Sequence, residues 1–311
     1  MFIERLNRDF SILEKNNFIS HGGIYGYSHL LEREIKQNTI EAIALSVDND
    51  IPFECDIRAT KDHIPVIAHD DDITLKDGSV IKISKTKYKD MVQKAQEEAP
   101  ALLETALKYN HGKVPCVIDA KEAKFFLYSE YRKNLAKLLN EYAHYGEVAL
   151  QSFNPAFMLV MRSHLLGVLT MQLICRAQTV LSVFKAPKRA ANIYEKLVSI
   201  ICFIARTDAI NMENHSDRSW QFSTRAFHSG EFYEAVSEIL EKVNKGSDRL
   251  QYLLVKMVNE ITQKPVLAFT IREDEDFLTI EKGLITNYIV DYSALGVEEY
   301  IRKLKRLRRK A

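Results

Sequence analysis

The chain has 311 residues, 46% of them hydrophobic and 27% charged, with only 11 Gly and 7 Pro, a composition that supplies one large core and excludes a disordered or fibrous chain. With 43 Lys+Arg against 42 Asp+Glu the formal net charge is +1, so no global field draws in nucleic acid and any phosphate recognition has to be local. The N-terminal stretch is interrupted by Glu4, Arg5, Arg8 and Asp9, residues 197–205 form an apolar run too short to span a bilayer, and Cys55, Cys116, Cys175 and Cys202 all lie in apolar segments. Together these features predict a soluble protein of the reducing cytoplasm, without stable membrane insertion and with no nucleic-acid partner.

In chain order, short apolar runs alternate with longer segments of helical period, the pattern of βα units around a parallel sheet. Strands are expected at Phe18–His21, Phe53–Arg58, Val114–Ala120, Val148–Ser152, Leu169–Ile174, Ala209–Met212, Val266–Thr270 and Leu284–Thr286. Pro65–His69 is also extended, but it follows the second strand too closely to leave room for a crossover helix and reads as a loop excursion. Eight strands are the number that a single (β/α)8 TIM barrel requires, and no linker divides residues 1–311, which read as one domain. Asn38-Thr39-Ile40-Glu41 reads as an N-cap with an acid at N3, opening a helix to Asp48, and residues 231–244 and 248–262 read as a helix pair split at Lys245-Gly246-Ser247.

Chemistry concentrates at the ends of the early strands. Side chains alternate between faces along a strand, so Glu54, Asp56 and Arg58 share one face of Phe53–Arg58. Neighbouring carboxylates repel and are costly to desolvate. The fragment fits either a hard divalent ion between them or a pair of salt bridges on a half-exposed strand. Asp119 and Lys121 repeat the arrangement on the next strand, which adds a third carboxylate and a cation at the same end. Two apolar runs end in histidine, at His21 in Ile19-Ser20-His21-Gly22-Gly23 and at His69 in Val66-Ile67-Ala68-His69-Asp70. Thr60-Lys61-Asp62-His63 reads as a tight turn in which Asp62 caps the backbone and His63 takes a positive φ.

The series His21-Gly22-Gly23, Gln37-Asn38-Thr39, Glu54-Cys55-Asp56, Thr60-Lys61-Asp62, His69-Asp70, Asp119-Ala120-Lys121 and Gln151-Ser152-Phe153 resembles the glycerophosphodiester phosphodiesterase family in order and spacing. Leu102-Leu103-Glu104 resembles that family's helix before the third strand, and Leu284-Ile285-Thr286-Asn287 its closing strand. The resemblance implies a barrel phosphodiesterase in which His21 and His69 serve as general acid and base. It further implies that Glu54, Asp56 and Asp119 hold Mg²⁺ or Ca²⁺, and that Lys121 contacts the phosphate of a small-molecule phosphodiester. Arg58, Gly22, Phe153 and Phe269 are the remaining expected substrate contacts. Such chemistry needs charge neutralisation at the non-bridging oxygens, one group to accept a proton and another to supply one.

The sequence departs from the family at five places. Gly22 stands where arginine is usual, Gln37 and Asp119 where glutamate is usual, Asn287 at the usual Thr-Asp, and Phe269 at the usual tryptophan. Gly22-Gly23 lets backbone N–H groups approach an anion, and Arg58 supplies charge from the adjacent strand. Two rivals remain at this stage: a phospholipase-like barrel that splits a lipid headgroup, and a barrel that binds phosphorylated ligands without hydrolysing them. Residues 213–229, with Trp220, Phe222 and Phe227, read as a packed surface loop or a substrate lid. The tail at 300–310 reads as the last barrel helix, with Ile301, Leu304 and Leu307 along one stripe and cations complementing its C-terminal dipole.

Overall fold

A computed structural model describes residues 17–121, 129–174, 209–213, 266–272 and 287–310. Eight parallel strands form the barrel: β1 (Asn17–Ser20), β2 (Phe53–Ala59), β3 (Cys116–Ala120), β4 (Val148–Ser152), β5 (Leu169–Ile174), β6 (Ala209–Glu213), β7 (Val266–Ile271) and β8 (Asn287–Val290). Each strand pairs with the next in sequence from β2 to β8, and β1 pairs with both β8 and β2, so the sheet closes on itself. The closure is narrow: Ser20 lies opposite Phe53, and the Ser20 N–H donates to the Pro52 carbonyl at 2.9 Å. The fold is the expected (β/α)8 barrel. Among the described residues no helix is long and apolar enough to cross a membrane.

The pleat sorts side chains into two cores. Ile19, Val117, Ala149, Leu169, Met171, Leu267 and Ile289 meet inside the barrel. The alternate residues, such as Phe53, Cys55, Ile57, Cys116, Ile118, Val148 and Leu150, face outward beneath the helices. Those helices include α1 (Ile40–Asp48), α3 (Leu103–Asn110), α4 (Ser129–Tyr142) and α5 (Pro155–His164), while α2 (Tyr88–Ala95) packs Met91 against Val66 and Ile83 in a separate cluster. The chain ends in α6 (Val297–Lys310), which buries Tyr300 and Leu304 against Phe18 and Val290, with Ile301 and Leu307 packed alongside. The expected stripe of the tail is therefore the seam of a barrel helix.

The strand at the end of the chain is described at Asn287–Val290, and the expected strand residues 284–286 lie outside the described residues. Two expectations are corrected. Pro65–Ile67 is a strand, antiparallel to β2, because it extends the β2 edge beyond the barrel rather than crossing over to it. The N-cap of α1 is Thr39, whose Oγ1 accepts from the Ala42 N–H, whereas Asn38 takes a left-handed φ of 55°. His63 has the expected positive φ, 64°, and Asp62 Oδ1 accepts from the Thr60 hydroxyl and the Tyr88 N–H. Cys55 and Cys116 are buried free thiols. Cys175, Cys202, the helix pair at 231–262 and the loop from 214 to 229 lie outside the described residues.

Candidate active site

Because Phe53, Cys55 and Ile57 face the helices, Glu54 and Asp56 face the lumen, and the same alternation on β3 turns Asp119 inward. The β2–β3 register sets Asp56 directly opposite Asp119. Glu54, Asp56 and Asp119 are all buried, and one carboxylate oxygen from each lies within 4.8 Å of the others. Lys121, just past the end of β3, places its Nζ 2.9 Å from Asp56 Oδ1 and 2.6 Å from Asp119 Oδ2. The three carboxylates and the lysine expected to meet at one rim do meet there.

Their electrostatics follow from crowding in a dry site. Burial, followed by the neighbouring Asp56 and Asp119, pushes the Glu54 carboxyl well above its usual range. Burial likewise raises Asp119 to about 6 despite Lys121. Burial also works to raise Asp56, but Lys121 and His21 outweigh it and hold this carboxyl below its usual value. Desolvation opposes the Lys121 ammonium, yet the three surrounding carboxylates keep it charged. Asp119 Oδ1 is buried without a hydrogen-bond partner. An all-carboxylate donor set with an orphaned oxygen suits a hard divalent cation, which would relieve the repulsion that raises Glu54 and Asp119.

The two histidines flank this cluster. His21 directly follows β1 and is anchored by its own N–H to the Val290 carbonyl at 2.9 Å, with its ring Nδ1 buried and unpartnered. Burial lowers its pKa, and the charges of Asp56 and Asp291 only partly offset this, so the ring is neutral at neutral pH. His69 stands at the rim beyond the antiparallel strand, its side chain 52% exposed and its Nδ1 2.9 Å from Asp70 Oδ1. Two backbone ties set its position: the Ala68 N–H donates to the Asp56 carbonyl, and Arg58 Nε donates to the His69 carbonyl at 2.8 Å. Arg58 is thereby placed at the backbone of His69.

Gly22 has a different local role from the one expected. Its N–H donates to Glu54 Oε2 at 3.0 Å and the Gly23 N–H donates to the Glu54 carbonyl at 3.2 Å, so the anion met by the Gly22 amide is Glu54 itself. Phe153 lies half-buried just past β4 on the same rim, and Phe269 sits in β7 opposite Glu213, placed by its backbone. Asn287, at the family's usual Thr-Asp, lies at the start of β8. It pairs with Asn17 at the base of the barrel, and the acid that emerges at the rim of β8 is Asp291.

Sequence reasoning missed four residues around the site. Asn38 supports Asp56 through its side-chain amide, and only the Gln37-Asn38-Thr39 motif hinted at it. Asp291 accepts from the Tyr25 hydroxyl at 2.9 Å and from the Ser293 N–H at 3.1 Å, while Arg272 Nε lies 3.8 Å from it. Burial raises the Tyr25 hydroxyl to about 12, which keeps it a hydrogen-bond donor to Asp291.

Known proteins share this architecture. The chain is 17% identical to a glycerophosphodiester phosphodiesterase from Thermotoga maritima, with a TM-score of 0.52 and coverage of 91% of this chain and 97% of that one. A phosphodiesterase from Oleispira antarctica, solved in complex with the product sn-glycerol-3-phosphate, is 18% identical with a TM-score of 0.56, covering 94% of this chain and 97% of its own. At such identities the likeness speaks for the barrel alone. No curated protein matches the chain. The model of the glycerophosphoryl diester phosphodiesterase family matches residues 26–295, which takes in the three carboxylates, Lys121 and His69, while His21 and Gly22 precede the match and are joined to the site by the barrel. The chain belongs to the glycerophosphoryl diester phosphodiesterase family, a family of phosphoric diester hydrolases.

Proposed function

We propose that the chain hydrolyses a glycerophosphodiester, or a related small phosphodiester, to a phosphomonoester and an alcohol, with His21 and His69 as the acid–base pair. The observation that carries this reading is the convergence of Glu54, Asp56 and Asp119 within 4.8 Å beside Lys121, with both imidazoles in electrostatic reach of Asp56. Glu54, Asp56 and Asp119 would hold Mg²⁺ or Ca²⁺, which when bound supplies charge neutralisation at the non-bridging phosphate oxygens. Lys121 adds a second positive charge on the same side of the phosphate.

His21, kept neutral by burial, accepts the proton of the attacking hydroxyl as its oxygen bonds to phosphorus. His69, oriented by Asp70 through Nδ1, presents Nε2 to the leaving oxygen and supplies the proton that makes it an alcohol as the old P–O bond breaks. Arg58 holds the His69 backbone while contributing positive charge to that edge of the rim. Gly22 keeps Glu54 in place for the ion, and Phe153 and Phe269 border the substrate.

The test is turnover of a phosphodiester panel that includes glycerophosphocholine, alongside calorimetric titration with Mg²⁺ and Ca²⁺. His21→Ala and His69→Ala should each lower kcat by about 10²- to 10⁴-fold while leaving ion binding intact. Ion binding with no turnover of any diester would instead identify a binding barrel.

A further inference from the structure

The rim carries a second ordered set of groups on the side of His21 away from the carboxylates. β1, β8 and β7 are adjacent, and the residues that directly follow them are His21, Asp291 and Arg272. The inward face of β1 and β8 is marked by Ile19 and Ile289, which share parity with His21 and Asp291. Arg272 does not share parity with Leu267, the inward residue of β7, and an unbroken strand would turn it outward. The strand is not unbroken. Ala268 pairs with Tyr288 and Ile271 with Val290, so β7 advances three residues while β8 advances two. This one-residue bulge reverses the alternation, and bulges of this kind re-aim side chains beside active sites. Ile271 accordingly packs in the outer core with Phe18 and Val290, which leaves the following residue, Arg272, directed to the lumen side.

We propose that Arg272, turned inward by the β7 bulge and steadied by Asp291, binds the substrate phosphate from the side opposite the carboxylate cluster. Its side chain is 68% exposed, within reach of ligand, and its Nε lies 3.8 Å from Asp291 Oδ2. Asp291 is itself fixed by Tyr25 and by the Ser293 N–H. By ordinary strand spacing Arg272 starts roughly 10 Å from His21, two strands away. A phosphate between the two therefore has Lys121 and the carboxylate-held ion on one side and a guanidinium on the other. The fork of N–H donors suits two non-bridging oxygens at once, which an ammonium cannot match. The inference rests on the reading of the site as a phosphodiesterase.

The test is calorimetric titration of sn-glycerol 3-phosphate, with inorganic phosphate as a second probe, into the Mg²⁺-loaded wild type, Arg272→Ala and Arg272→Lys. Steady-state hydrolysis of glycerophosphocholine and titration with Mg²⁺ alone are run in parallel. The expected result is a loss of glycerol phosphate affinity of about 10- to 100-fold in Arg272→Ala and a smaller loss in Arg272→Lys, which keeps the charge without the fork. Mg²⁺ affinity should not move, since the carboxylates lie three to four strands away around the rim. KM should rise with Arg272→Ala. Unchanged affinity for both phosphate probes in Arg272→Ala overturns the inference even if the wild type is a competent phosphodiesterase. Loss of phosphate affinity in Arg272→Ala in a wild type that turns over no diester upholds Arg272 and rejects hydrolysis. If Arg272→Ala fails to fold, the Arg272→Lys protein decides: wild-type affinity in it overturns the fork.

Discussion

Asn38 and Asp56 hold each other through two hydrogen bonds: Asn38 Nδ2 donates to Asp56 Oδ2 at 2.8 Å, and the Asp56 backbone N–H donates to Asn38 Oδ1 at 2.9 Å. The left-handed backbone of Asn38, φ 55°, turns its amide toward β2 instead of letting it cap α1. Asn38→Ala removes two hydrogen bonds from a buried aspartate and should destabilise the fold by about 1–3 kcal/mol in urea unfolding. It should also weaken Mg²⁺ binding, because Asp56 Oδ2 then loses the donor that fixes it and only the Lys121 contact at Oδ1 remains.

Lys121 is the cation that makes three buried carboxylates tolerable, with contacts of 2.9 Å to Asp56 and 2.6 Å to Asp119. Lys121→Met should cost about 3–5 kcal/mol of stability without divalent ion, the range for breaking a buried ion pair. Saturating Mg²⁺ should recover much of that loss in thermal melts, since a dication supplies the missing charge.

Ion binding should depend on acidity in a defined direction. Burial raises Asp119 to about 6 and pushes Glu54 well above its usual range, so at mildly acid pH an incoming cation has to displace protons. Affinity for Mg²⁺ or Ca²⁺ should therefore climb as pH rises through about 6. Calorimetry in buffers of different ionisation enthalpy should register proton release there, and Asp119→Asn should remove that component.

The turn after His21 leaves no room for a methyl group at one position. A Cβ on Gly23, where φ is 80°, would lie 2.7 Å from the Ala42 backbone carbon and oxygen, whereas one on Gly22 would meet Gln37 Cβ at 3.2 Å. Gly23→Ala should cost at least about 2 kcal/mol in urea unfolding and exceed Gly22→Ala, because helix backbone cannot step aside as a side chain can.

Glu298, in the first turn of α6, accepts from the Ser28 hydroxyl and from the His29 and Leu30 N–H groups. The Ser28 hydroxyl and the backbone donors hold its carboxyl down to about 2, below the ordinary 4.5. A folded value below the unfolded one gives stability that is full above about 4.5 and lost as pH falls toward about 2. The Tm difference between wild type and Glu298→Gln should accordingly shrink across that window in melts taken at stepped pH.

The sequence by itself determined which residues share a face. Glu54 with Asp56, and Asp119 with Lys121, are separated by two positions, and a pleat of period two is a local property that needs no knowledge of neighbours. Most strand positions were readable for the same reason, as runs of Val148–Ser152 and Leu169–Ile174 show. Only the tertiary structure decided what depends on pairing between distant segments: that Asp56 lies level with Asp119, that Asp291 rather than Asn287 reaches the rim, and that Asn38 turns to Asp56. The bulge that re-aims Arg272 is of the same kind, since a bulge exists only relative to the partner strand. Register is fixed by hydrogen bonds across the sheet, and no stretch of one strand contains that information.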